Sequence, residues 1–290
     1  MKEHSLFDRG IQTIIYCILI AISIVTLFPF FYVAMVSVTS ESEVIRKGIV
    51  LIPDQFVWGA YKTVFSGSFG ILTAYKITLL RTGIGTLLNM IATTLAAYVL
   101  SRKGLPGRSS ILFMIIFTIL FSGGTIPTYL VVKSLGLIDS LWALILPGLV
   151  SAFNLIIIKG FFEQLPSELL ESATVDGAGE LTMLWRIVLP LSLPSIVTIG
   201  LFYAVGHWNS YFDGVLYIND RSLWPLQVVL RTILLQSQMQ DVSQQSNDAS
   251  VSSVAIQMAA VIVSTVPILL VYPFVQKHFA KGVLIGAVKG

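Results

Sequence analysis

Apolar residues do not alternate with polar ones along most of this chain; they run together in long stretches broken by short polar loops. About 20 consecutive, mostly apolar residues suffice to cross a bilayer as a helix. Six stretches meet that length: about Ile11 to Val38, Leu79 to Leu100, Ser110 to Val132, Leu141 to Ile158, Ile187 to Ile218 and Val254 to Gln276. The first has no charged residue and is too long for the apolar core of a cleaved signal, so it reads as a retained helix. In the second, Gly85, Asn89, Ala92 and Ala96 form a small-residue stripe of the kind that lets helices approach closely in lipid. The third contains Gly123, Gly124 and Pro127, and the sixth contains Pro267 and Pro273. Both patterns are tolerated in membrane helices because neighbouring groups re-satisfy freed carbonyls.

Composition agrees. The chain has 290 residues, of which 55% are hydrophobic and only 11% charged, and its mean hydropathy is +0.85. Soluble domains carry about 25% charged residues, so most of this surface suits lipid. The formal charge of +3 gives no case for nucleic-acid binding. A lone cysteine, Cys17, leaves no intrachain disulfide and no multi-cysteine metal site; within its apolar run it reads as a packing residue. Glu41 and Glu43 read as a surface pair, and His4 and His278 as solvated tail residues. No Ser/His/Asp constellation and no metal-ligand spacing is present.

Basic residues near short loops set orientation. Arg102, Lys103 and Arg108 separate spans two and three, and Lys277, Lys281 and Lys289 follow span six. This pattern predicts both termini, the 101–109 loop and the 159–186 loop on the cytoplasmic side. The 39–77 and 219–253 segments are then external, the latter a mobile loop with a short helix around Leu226 to Leu235.

The 163–186 stretch is unlike the rest. Pro166 and Ser167 mark a helix start, with Ser167 as cap and Glu168 and Glu171 near the positive end of the helix dipole. Leu169, Leu170, Ala173 and Thr174 share a face, and Gly177 supplies the left-handed turn that ends such a helix. A second short piece, about Glu180 to Trp185, leads into span five. Lys159 and Arg186 stand against Glu163, Glu168, Glu171, Asp176 and Glu180, a net of −3 that asks for a partner.

Here the chain resembles the permeases of ATP-binding cassette (ABC) importers. Glu171, Ala173 and Gly177 match their loop signature, and Ile187, Leu189 and Pro190 follow at its spacing. Ser172 departs from the usual alanine, a small-for-small change compatible with docking. Gln276-Lys277-His278-Phe279, Lys281-Gly282 and the closing Gly286-Ala287-Val288-Lys289-Gly290 resemble the tail of maltose-type sugar permeases. Trp208-Asn209-Ser210-Tyr211-Phe212 and Trp224-Pro225-Leu226-Gln227 resemble the branch that takes complex sugars such as aldouronate or polysaccharide fragments.

The resemblance implies an all-α integral membrane protein with the six-helix type I importer permease fold, one transmembrane domain over 1–290. It also implies a bacterial cytoplasmic membrane, a second permease subunit in a heterodimer, two ATPase subunits and an external solute-binding protein. Glu168, Glu171, Ser172, Ala173, Asp176, Gly177, Ile187, Leu189 and Pro190 would carry the coupling to the ATPase. ATP and Mg would sit on that partner, leaving this chain without a cofactor. Gly282 to Lys289 has a glycine-lysine pattern, but not the spacing or the strand–helix setting of a phosphate loop.

His207, Trp208, Asn209, Tyr211 and Asp213 cluster late in span five. Ionisable groups at depth usually face a cavity, and aromatic, amide and imidazole groups suit sugar rings and hydroxyls. Interfacial anchoring or helix packing explains such a cluster somewhat better. Two other classes stay open: a permease of the same kind for a non-sugar solute, and a secondary carrier, which would require coupling groups at mid-membrane on several spans.

Overall fold

A computed structural model describes residues 6–66, 69–243 and 252–287, with side chains described for 10–66, 69–236 and 252–270. Every regular element among them is helical. In chain order they are α1 Leu6–Val36, α2 Glu41–Lys47, α3 Gly59–Phe65, α4 Ile71–Ser101, α5 Arg108–Leu120, α6 Thr125–Ser134, α7 Ala152–Glu163, α8 Ser167–Val175, α9 Glu180–Met183, α10 Leu189–Leu191, α11 Leu193–Asn209, α12 Phe212–Tyr217, α13 Leu226–Ser243 and α14 Ser253–Ala287. Among the described residues three helical stretches are long and apolar enough to cross a membrane by themselves, and the number rises to six if each of three bent helix pairs counts as one span.

The chain forms two compact units. One comprises Met1–Phe69 with Leu230–Val266, the other Gly70–Val229 with Pro267–Gly290. In the first, α1 turns its isoleucines, leucines and phenylalanines outward along its whole apolar length; Val25 is 73% exposed. Cys17 is exposed on this helix as well, so it does not pack in a core as its apolar setting suggested. Glu43 likewise departs from the surface pair expected of it. It is buried, accepts from Lys47 Nζ at 2.8 Å and takes the Asp54 amide at 2.8 Å. The hydrogen bond from Lys47 holds the Glu43 carboxyl below its ordinary pKa, and the Asp54 amide adds to the effect.

In the second unit α4 is the central post. Its 31 residues reach about 46 Å at 1.5 Å per residue, with α7 and α11 packed along it. Ala97, Tyr98, Ile158, Phe162, Leu184, Val188, Ile199 and Tyr203 form the shared core. Small residues permit this closeness: Gly85 and Ala97 are buried on α4. The helix begins eight residues before the stretch that hydropathy picks out, so Lys76 lies within it rather than before it.

The breaks in the other spans have local causes. Span three bends by 115° between α5 and α6. Gly124 there has φ +88°, open to glycine and costly to other residues. Pro127 falls in the first turn of α6, where its missing N–H costs no helical bond. Span four is not one helix from Leu141. Two 3₁₀ turns, Leu141–Leu144 and Leu146–Gly148, precede α7. Ser151 starts α7 by accepting the Asn154 amide.

Span five bends by 86° at Ser192, between Pro190 and Pro194. A π-helical turn over Leu184–Val188 precedes Pro190, which has no N–H to continue an α ladder. Instead of running to Ile218, this span stops at Asn209 and restarts as α12. The external helix expected to end near Leu235 extends to Ser243. Residues 244–251, within the segment read as a mobile loop, lie outside the described residues, as do His4 and the last three residues of the tail. His278 falls in α14.

Candidate functional site

Two groups of residues gather chemistry. The first is the loop between α7 and α11. Its helix, α8, spans Ser167–Val175, but Pro166 rather than Ser167 occupies the N-cap and no side chain caps it. Proline has no N–H to satisfy and suits that boundary, which moves Ser167 to the first helical position. The far end closes tightly. Gly177 has φ +78°, its amide donates to Thr174 O at 3.0 Å, and the Ala178 amide donates to Ala173 O at 2.9 Å. That pair of bonds is a Schellman closure, which needs a residue tolerant of positive φ at Gly177. Ala173 is buried, while Glu168, Glu171, Ser172 and Asp176 are exposed.

Charge around this loop is divided. Glu163 pairs with Arg108 and, at 2.8 Å, with Lys159. Glu180 takes Arg102 Nη2 at 2.8 Å and a short hydrogen bond from Tyr98 Oη. The loop is therefore fastened to the C-terminal end of α4. Among the described residues Glu168, Glu171 and Asp176 make no ion pair, so the negative charge left for a partner sits on α8 and its cap. Apolar side chains stand beside it: Val175 is 86% exposed, Leu181 67% and Trp185 66%. Ile187 and Leu189 lie in the turn beyond, next to Pro190, where the chain enters the bent span.

The second group surrounds a cavity of about 390 Å³. Arg81 from α4, Gly148 from the 3₁₀ turn, Tyr203 and His207 from α11, and Ser210 and Asp213 after it are among its lining residues. Arg81 and Asp213 form a salt bridge, the arginine side chain 3% exposed and the aspartate 23%. Ser210 Oγ donates to Asp213 Oδ1 at 2.7 Å, and the Gly214 amide donates to the same oxygen at 2.8 Å. His207 Nε2 lies 2.7 Å from Asn89 Oδ1. Asn89 Nδ2 in turn donates to the carbonyls of Gly148 and Leu149 at 2.8 and 2.7 Å. Tyr203 Oη accepts the Ser151 amide at 2.9 Å and meets Thr93 Oγ1 at 2.8 Å.

Of the five residues singled out in span five, His207 and Asp213 face this cavity. Trp208 is buried with its ring 6.3 Å from that of Tyr75. Asn209 and Tyr211 are exposed and do not line the cavity. Arg81, Asn89 and Tyr203 complete the polar network; Asn89 stands out in the sequence only as part of a small-residue stripe, and Arg81 and Tyr203 were not singled out. A usable signal existed for Arg81 and Asn89, as polar residues eight apart in an apolar helix. Tyr203 gave none, since tyrosines are common in membrane helices. Elsewhere, Asp139 Oδ1 accepts the amides of Asn219 at 2.5 Å and Asp220 at 2.9 Å. The bond from the Asp220 amide, followed by those from Asn219, holds the Asp139 carboxyl below its usual pKa.

The sequence model of the binding-protein-dependent transport system inner membrane component family matches residues 67–285. This chain belongs to that family. It is a membrane-embedded permease subunit and not an enzyme. It is 48% identical to the polygalacturonan/rhamnogalacturonan transport system permease protein YtcP of Bacillus subtilis (strain 168), over 99% of this chain and 100% of that one. Protein LplC of the same organism is also 48% identical, over 92% of this chain and 90% of its own length. Among solved structures, a chain of a bacterial ABC transporter involved in the import of the acidic polysaccharide alginate is similar, with a TM-score of 0.84 and 29% identity. The likeness covers 96% of this permease and 100% of that chain.

Proposed function

We propose that this permease forms half of the transmembrane pathway of an ATP-driven importer, passing an oligosaccharide or polysaccharide fragment handed over by an external binding protein. A second permease completes the pathway as a heterodimer, and two ATPase subunits hold the ATP and Mg²⁺. The observation that carries the coupling part is α8. It is a short helix closed at Gly177, fastened to α4 through Glu180, with its own carboxylates unpaired and apolar side chains exposed beside them. The relatives that handle polygalacturonan, rhamnogalacturonan and alginate support the choice of cargo. In this reading α8 docks in a groove of the ATPase, Glu171 facing a basic residue there, while buried Ala173 lets α8 lie close against its own chain. Ser172, Asp176, Ile187, Leu189 and Pro190 shape that contact and its passage into span five.

Reversing one charge tests the docking. Glu171→Lys is expected to lower the amount of ATPase retained when a tagged permease is purified from membranes, while the partner permease stays bound. Unchanged ATPase retention would remove Glu171 from the contact.

Orientation belongs to the same proposal: both termini, the 102–107 loop and α8 face the cytoplasm, in a bacterial cytoplasmic membrane. With Cys17 replaced by serine, Ser42→Cys should react with an impermeant thiol reagent in intact cells. Lys103→Cys should react only after the cells are opened. The reverse pattern would invert the topology.

A further inference from the structure

The cavity bounded by Arg81 and Asp213 carries a charge arrangement that packing does not account for. Arg81 is 2% exposed, and an arginine so deep must spend its five N–H donors well. Its Nε has no acceptor among the described residues. Nη2 is closely engaged with Asp213 Oδ2, but Nη1 reaches Oδ1 only at 3.3 Å. That oxygen is already supplied by Ser210 and by the Gly214 amide. Asp213 is therefore satisfied without the Nη1 bond, whereas Arg81 is left with donors to spare. The imbalance runs one way: the pair can accept another oxygen acid more readily than another cation. Among the described residues Arg81 and Asp213 are the only fully charged side chains on the cavity wall, and a volume of about 390 Å³ lies within the usual range for small-molecule sites, roughly 300–1,000 Å³.

We propose that Arg81 determines specificity for an anionic cargo, taking the carboxylate of an acidic sugar unit, and that Asp213 is the internal counter-ion which yields part of the guanidinium to it. This rests on the importer reading given above and narrows it to uronate-containing fragments. The arriving carboxylate takes the weakly held Nη1 edge. Asp213 keeps the bonds from Ser210 and Gly214 and stays anchored. A planar guanidinium spreads its N–H donors over several edges, so it can hold a second carboxylate while still bonded to Asp213 better than an ammonium can. A neutral sugar offers no group to draw Arg81 away from Asp213.

The test separates the importer reading from this refinement. Uptake of trigalacturonate is first measured in proteoliposomes holding the assembled transporter with its binding protein. No uptake of trigalacturonate by the wild type would overturn the refinement, and an assembly whose ATP hydrolysis the binding protein does not stimulate would overturn the importer reading as well. With uptake established, trigalacturonate and its fully methyl-esterified form are titrated calorimetrically onto the assembled transporter without the binding protein. The wild type should prefer the acid by about tenfold or more, the usual scale of a charge-assisted hydrogen bond. The Arg81→Gln/Asp213→Asn double variant leaves no buried unpaired charge and should lose the preference. Asp213→Asn alone should bind the acid more tightly than wild type, because the competing carboxylate is gone. A wild type that does not distinguish acid from ester would overturn the assignment of Arg81, as would a preference that survives in the double variant. Equal loss of acid and ester binding in the variants would mark the pair as structural and overturn it too.

Discussion

Gly177→Val is expected to leave membrane insertion intact and to abolish both solute uptake and binding-protein-stimulated ATP hydrolysis. At φ +78° a left-handed backbone costs an ordinary residue about 1–2 kcal/mol, and a β-branched side chain more. The cheapest relief is to rotate the residue back to negative φ, which breaks the bonds from Gly177 and Ala178 to Thr174 and Ala173. The last turn of α8 then loses its closure, and the helix no longer leaves the loop at a fixed angle to Glu180 and Arg102. No Cβ clash complicates the reading, because the space around Gly177 is open. The variant acts on backbone conformation alone. Asparagine tolerates the left-handed region, so Gly177→Asn should keep most of the transport that valine loses. Reconstituted transporter, assayed for uptake and for stimulated hydrolysis, reads both. Normal hydrolysis in Gly177→Val would reduce this loop to a connector.

The loop was legible in the sequence because its signals are local. Proline at the start, glycine at the end and carboxylates between specify a short capped helix without help from the rest of the fold. The number of long apolar stretches was legible for a similar reason, since hydropathy summed over about 20 residues outweighs any single breaker. The bends were not. Gly124, Pro147 and the Pro190–Pro194 pair are visible in the sequence, but membrane helices tolerate such residues without breaking. Whether a helix kinks there depends on what packs beside it.

The cavity was only half legible. His207 and Asp213 stood out as ionisable groups in an apolar setting. Their partners, Asn89 and Arg81, lie 118 and 132 residues away, a distance no local pattern spans. Trp208, Asn209 and Tyr211 attracted notice as polar aromatic neighbours, yet helical geometry turns adjacent residues to different faces, and only part of the cluster can look inward.

That same geometry sets the second large effect. Gly85→Ala is expected to destabilise the assembled transporter by about 1–3 kcal/mol, the range for overpacking a filled site, and to cut uptake sharply. A Cβ at position 85 would lie 2.5 Å from His207 Nε2, 2.8 Å from Cε1 and 3.0 Å from Cδ2. The imidazole cannot yield cheaply, because Nε2 is held 2.7 Å from Asn89 Oδ1 and the side chain is buried. Pushing it aside unpairs Asn89 Oδ1 at the place where Asn89 also fastens the Gly148 and Leu149 carbonyls to α4. Alternatively α4 and α11 separate, and the core of Ala97, Ile199 and Tyr203 loosens with them. His207→Ala alone should cost less, since it leaves one unmet acceptor and a space that water can enter. Adding it to Gly85→Ala removes the clashing ring, so the double variant should be more stable than Gly85→Ala by itself. Thermal unfolding of the detergent-purified transporter across the four forms gives the coupling, expected at about 1–2 kcal/mol for residues in contact. If the two losses simply add, His207 is not what Gly85 makes room for.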